Sequence, residues 1–164
     1  MKTKFIIRFV FLALSAAVFT FSCNQENTVA PDGDAFLQTS AEKYNKLMTA
    51  RETFKGTPFE IDGVEREANI LKINVSGAGG IENYKIVWDG ILMESYPMMT
   101  RLVVSYDLPD GVQTTVINHY TLTVDLQKLF GGSVDAADVN VQVSNGSKED
   151  DKVIDPDGNV SSSK

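Results

Sequence analysis

Four stretches of this chain place apolar side chains at every second residue, and that period of two constrains the fold more than any other feature of the sequence. Leu71, Ile73 and Val75 alternate with Lys72 and Asn74; Tyr84, Ile86 and Trp88 alternate with Lys85 and Asp89. Tyr120, Leu122 and Val124 alternate with Thr121 and Thr123, and Val139, Val141 and Val143 with Asn140 and Gln142. Successive strand residues point to opposite faces, so each stretch reads as a strand with one dry and one wet face. Leu102 to Val104 is continuously apolar, as for a strand covered on both sides. Turn sequences punctuate the strands at Ser76-Gly77-Ala78-Gly79-Gly80, Asp89-Gly90, Asp107-Leu108-Pro109-Asp110-Gly111 and Asn145-Gly146. Polar outer faces favour antiparallel pairing. The expectation is a mainly β protein: an antiparallel β-sandwich of six to eight strands with one N-terminal helix.

That helix is predicted over Ala35 to Thr53, where Leu37, Ala41, Tyr44, Leu47 and Met48 recur at three- and four-residue spacing. Asp34 is its expected N-cap, although the poor helix formers Thr39 and Ser40 allow a start as late as Ser40. Val112 to Val124 is long for one strand, and its phase slips at Ile117, which predicts a bulge or bend near Asn118. Asp125 to Phe130 reads as a helical turn capped by Asp125 and stopped by Gly131-Gly132.

The first 22 residues have a different character. Lys2, Lys4 and Arg8 precede an uncharged run from Phe9 to Phe21, which is short for a bilayer span of roughly 20 residues and suits a signal-peptide core. Cys23, the only cysteine, stands where cleavage belongs, after small Ser22. The segment resembles a lipobox, which implies that Cys23 becomes the acylated N-terminus; Phe21 and Thr20 depart from the usual pattern. Ordinary secretion and an uncleaved anchor are the alternatives. Residues 23–34 read as the lipidated Cys and a flexible tether, 35–146 as the domain and 147–164 as a polar acidic tail. Asn24 in place of an Asp after Cys23 resembles signals for outer-membrane placement. Loss of residues 1–22 removes three of the 15 basic residues and leaves 12 against 22 acidic ones, a net charge of -10. Attachment to the membrane is therefore expected through acyl chains rather than charge.

The same charge excludes nucleic acid as a partner. A single Cys and a single His leave too few soft ligands for zinc, and no metal or cofactor is expected. His119 falls on the wet side of its strand with Thr121 and Thr123, and no G-x-S-x-G elbow accompanies it. The run Ser76 to Gly80 precedes a strand and lacks a phosphate-loop Lys, so it reads as a hairpin turn. Asp155-Pro156-Asp157-Gly158-Asn159 begins like a calcium loop, but Val160 stands where the sixth-position glycine belongs and the twelfth-position Glu is missing; a solvated acidic tail is the plainer reading. A carboxylate pair for glycoside hydrolysis has no spacing that picks it out. Tyr96-Pro97-Met98-Met99, near Trp88, is an apolar loop between strands. Met98 and Met99 either plug the end of the core or, with Tyr96 and Trp88, contact a partner.

Phe59-Glu60-Ile61-Asp62-Gly63-Val64, the strand Leu71 to Val75, Gly79-Gly80, Trp88-Asp89-Gly90 and Leu122-Thr123-Val124-Asp125-Leu126 together resemble small outer-membrane lipoproteins of Gram-negative gut and marine bacteria. Members often carry a Cys just after the glycine pair; Ile81 stands here, so no disulfide is implied. The resemblance implies a β-sandwich and an envelope location. The functional expectation is a lipid-anchored, non-enzymatic envelope protein that binds a partner protein or glycan, against the alternatives of a carboxylate hydrolase or a purely structural component.

Overall fold

The computed structural model describes residues 28–29, 36–108 and 116–163. The expected leader, Cys23 and most of the expected tether lie outside them, as does the first part of the long strand predicted from Val112.

The protein is mainly β, with two sheets and one main helix. In chain order the strands are β1 (Thr28–Val29), β2 (Leu37–Thr39), β3 (Glu60–Glu67), β4 (Ile70–Ala78), β5 (Tyr84–Met93), β6 (Met98–Tyr106), β7 (Ile117–Asp125), β8 (Val139–Asn145), β9 (Asp151–Ile154) and β10 (Val160–Ser163). Helix α1 (Ala41–Ala50) lies between β2 and β3, and the single turn α2 (Leu126–Leu129) follows β7. The smaller sheet has the order β1-β7-β4-β3 and the larger β10-β9-β8-β6-β5-β2.

Every alternating stretch forms a strand, but on β5 the face expected to be wet is covered by α1: Val87 is fully buried and Asp89 is buried beside it. Leu71, Ile73 and Val75 on β4 meet Tyr84 and Ile86 on β5, Leu122 and Val124 on β7, and Val139, Val141 and Val143 on β8 in one buried cluster shared by the two sheets. Leu102 and Val104 of β6 join that cluster, while Val103 between them faces the other way, onto Tyr44, Leu47 and Met48 of α1. The continuous apolar run of β6 thus has the small sheet on one side and the helix on the other.

The sheets are mixed rather than antiparallel. β1 runs parallel to β7, β2 to β5, and β6 to β8. The β6–β8 pair is parallel because the chain leaves β6 at one end of the domain, crosses to the small sheet, descends β7 and returns through α2 to the end where β6 began. Alternation reports which face of a strand is wet but not its direction, so the sequence could not show this.

Local corrections follow from side-chain chemistry. Ser40, not Asp34, caps α1, its hydroxyl accepting from the Lys43 N–H at 3.2 Å. The Leu37–Thr39 segment that precedes it is strand, paired with Ile86 to Trp88 of β5. Residues 28–29, inside the expected tether, add an edge to the small sheet. β7 pairs with β4 without a register shift from Ile117 to Asp125, so there is no bulge at Asn118. Shifts occur instead between Ile61 and Gly63 and between Trp88 and Leu92, the latter around Gly90 at φ 81°. The C-terminal residues read from composition as a tail contribute β9 and β10, and Ile154 is fully buried. Arg51, just beyond α1, grips the Asp151 carboxylate of β9 with both terminal guanidinium nitrogens and so ties this hairpin to the helix. The turn at Asp125 forms as expected, its carboxylate accepting from the Lys128 N–H and Gly131 and Gly132 adopting φ of 60° and 73°.

At one end of the core Phe59, Tyr84, Tyr106 and Tyr120 form an aromatic cluster, with Tyr84 and Tyr106 centred 4.7 Å apart. Gly77 makes room for it, since a Cβ there would lie 2.6 Å from the Tyr84 hydroxyl and 3.3 Å from Phe59. Gly77→Ala is expected to cost about 1–3 kcal/mol in urea unfolding through overpacking, and less in a Tyr84→Phe background, where the obstructing oxygen is gone.

The Tyr84 hydroxyl is buried and has no hydrogen-bond partner among the described residues. Burial, then the neighbouring Tyr106 and Tyr120, push its pKa far above the ordinary 10.0. A pKa raised on folding means that the folded state keeps a proton the unfolded chain releases. This contribution is therefore intact below about pH 10 and lost as pH rises above it. The urea midpoint is expected to fall between pH 9.5 and pH 11, and to fall less steeply in Tyr84→Phe.

Candidate functional site

The sheet end opposite the tyrosine cluster carries a groove of about 300 Å³ lined by Ser95, Tyr96 and Pro97 from the β5–β6 connection, Met98 at the start of β6, Ala137 and Asp138 from the segment before β8, and Pro156 from the β9–β10 turn. Its volume lies at the lower limit of small-ligand sites. Each wall is fixed locally. The Ser95 N–H donates to the Met93 carbonyl at 2.8 Å and its hydroxyl to the Pro97 carbonyl at 2.7 Å. A short 3-10 turn, Ala136–Asp138, is capped by the Asp135 carboxylate, which accepts from the Ala137 N–H. The Asp155 carboxylate closes the β9–β10 turn by accepting from the Asn159 backbone and side-chain amides at 2.8 and 2.9 Å. Those hydrogen bonds hold its pKa below the ordinary value. Both oxygens of the residue that would start a calcium loop are thus engaged inside the turn.

Arg66 sits behind this end. It is a buried cation on the apolar side of β3, where its guanidinium donates to the Val139, Ala136 and Ala68 carbonyls at 2.7, 2.6 and 3.0 Å. Burial lowers its pKa from the ordinary value, opposed by Asp155. The bonds to Val139 and Ala136 lash the β3–β4 hairpin to the segment that carries Ala137 and Asp138, and the bond to Ala68 fixes the guanidinium within the hairpin itself. Arg66→Met leaves buried carbonyls unpartnered and is expected to cost about 3 kcal/mol, read from the urea midpoint. The variant's amide exchange should rise first at 136–139.

Of the four residues singled out in the sequence, the structure brings Tyr96 and Met98 to the groove. Tyr96 is fully exposed, whereas Met98 is half-buried and packs on the main core. Met99 is half-buried and pairs with Met93 across the hairpin and with Asn140 of β8. Trp88 is elsewhere: its indole packs 6.2 Å from the Phe130 ring and donates to the Thr100 hydroxyl at 2.8 Å. Cys23 lies outside the described residues. Ala137, Asp138 and Pro156 were missed, because they reach the groove only through long-range pairing of β8 and β9 with β6. The Pro-Asp-Gly turn around Pro156 was the one local signal.

His119 lies on the outward face of the small sheet, half-exposed, with Nδ1 3.2 Å from one Asp62 oxygen. The Ser76 hydroxyl donates to the other Asp62 oxygen at 2.9 Å. Serine and imidazole are thus both bonded to the carboxylate that separates them, an order that does not let the imidazole take a proton from the hydroxyl. Behind the groove, the buried Asp89 carboxylate accepts from Arg101 Nε and Nη2 at 3.0 and 2.7 Å and from the Ile91 N–H. That pair secures the irregular part of β5. Among the described residues no group of three or more His, Cys, Asp or Glu converges as metal ligands. No helix among them is long and apolar enough to cross a membrane.

No family model and no curated protein matches the chain. Among solved structures it is similar to a NigD-like immunity protein from Bacteroides caccae, with 18% identity and a TM-score of 0.42, over 82% of this chain and 58% of that one.

Proposed function

We propose that this protein is a lipid-anchored, non-enzymatic module of the cell envelope, a two-sheet sandwich that uses the groove beside Tyr96 to capture a partner protein or glycan. The observation that carries the reading is a fully exposed aromatic ring at the mouth of a cleft whose three walls are held by β-strands and by Arg66. An exposed Tyr offers a flat apolar face and a hydroxyl at low entropic cost, the features of an anchor residue. Pro97, Met98, Ala137 and Pro156 supply apolar wall, and Ser95 and Asp138 supply hydroxyl and carboxylate for an amide or sugar edge. The anchor is supported by the sequence: Cys23 follows a leader-like segment, and the outer membrane is its proposed location.

Tyr96→Ala and Met98→Ala, separately, test the groove. The native protein and both variants are assayed on an array of envelope glycans and against purified outer-membrane proteins. Binding by the native protein is expected to weaken roughly tenfold in Tyr96→Ala, about 1.4 kcal/mol, with the urea midpoint unchanged. Equal binding by the variant overturns the groove assignment. Turnover of any arrayed glycan overturns the non-enzymatic reading.

A further inference from the structure

The two short N-terminal strands both join their sheets in parallel, and this fixes which end of the domain the N-terminal chain reaches first. Thr28 of β1 lies opposite Tyr120, near the start of β7. Leu37 of β2 lies opposite Ile86, near the start of β5, and the Ile86 N–H donates to the Phe36 carbonyl at 2.7 Å. β5 and β7 start at the same end: Tyr84 and Tyr120 touch, and the Tyr120 hydroxyl and Asn118 amide both donate to the Gly79 carbonyl, at 3.0 and 2.9 Å. The groove is at the other end. β6 begins there at Met98 and finishes beside the tyrosine cluster at Tyr106, eight residue steps or about 27 Å away.

We infer that acylation of Cys23 seats the Gly79–Ile117 end of the domain on the lipid surface and holds the Tyr96 groove at the membrane-distal end. The inference rests on the lipid-anchored reading. From Cys23 to Thr28 there are five residue steps, a reach of at most about 18 Å. That is shorter than the body of the domain, so an upright domain cannot be inverted to bring the groove to the lipid. Lying on the β3 edge of the small sheet would turn Glu65 and Glu67, on the half of β3 away from the tyrosine cluster, toward anionic headgroups. The seated end carries Glu60 and Asp62 as well, but it also presents Val116 and Ile117, each 60% exposed. Apolar side chains of this kind settle into a lipid interface without help from positive charge.

The test uses the full chain expressed in a Gram-negative host and the acylated protein purified from its membranes, reconstituted in mixed phosphatidylcholine and phosphatidylglycerol vesicles containing a headgroup spin label. Thioether formation blocks the Cys23 thiol, so a fluorophore can be placed on Ile117→Cys or on Tyr96→Cys alone. The label at 117 is expected to be quenched several-fold more strongly than the label at 96. Equal quenching, or stronger quenching at 96, overturns the orientation while leaving the anchor intact. A Cys23 peptide without acyl mass overturns the anchored reading, and the orientation with it.

Discussion

Leu102, Val103 and Val104 are all completely buried, and the architecture follows from covering both faces of that one strand. A β-strand sends consecutive side chains to opposite sides, so three consecutive apolar residues cannot be buried by one partner layer. Leu102 and Val104 require the small sheet, which brings β4 and β7 over β5 and β6. Val103 requires something on the opposite side, and α1 supplies Tyr44, Leu47 and Met48. Burying Leu or Val side chains contributes about 1.5–3 kcal/mol each, more than the surface ion pairs of the molecule can offer.

The layers also decide where function can sit. α1 covers one face of the large sheet and the small sheet the other, and the groove lies at a sheet end, where connections meet. One end is closed by aromatic rings packed over Gly77. The other is built from three connections belonging to distant parts of the chain and is braced by a buried arginine that donates to backbone carbonyls rather than to an acid. A guanidinium suits that task, because its fork can satisfy several carbonyls at once from a single desolvated position. The groove walls are thus braced by hydrogen bonds while the Tyr96 ring projects from them into solvent.

Polar groups on the outer face of the small sheet satisfy one another across strands rather than converging on a centre. Thr121 donates to Asn74, Asn74 to Glu65, and Ser76 to Asp62, each between neighbouring strands. This row orders the wet face and sets its negative charge. It keeps the β3 edge charged, which discourages pairing with another strand.

The sequence by itself determined the parts of this protein that depend on local period and local capping. The alternating stretches became strands with the expected dry faces, the continuous run at Leu102–Val104 was covered on both sides, and Asp125 capped the turn that Gly131 and Gly132 ended. Tertiary structure decided whatever depends on pairing between distant segments: the parallel direction of β8, the strand character of 37–39 over a helical pattern, and the recruitment of a polar C-terminal stretch into the large sheet. A side-chain period carries no information on direction, and a four-residue strand such as Asp151–Ile154 is too short to show a period at all. The candidate site divides the same way. Tyr96 was legible in an apolar stretch between strands, whereas Met98 and Met99, read as part of the same loop, open β6. Ala137, Asp138, Pro156 and the bracing Arg66 were not legible, because only the β6–β8–β9 register brings them to the same end of the sheet.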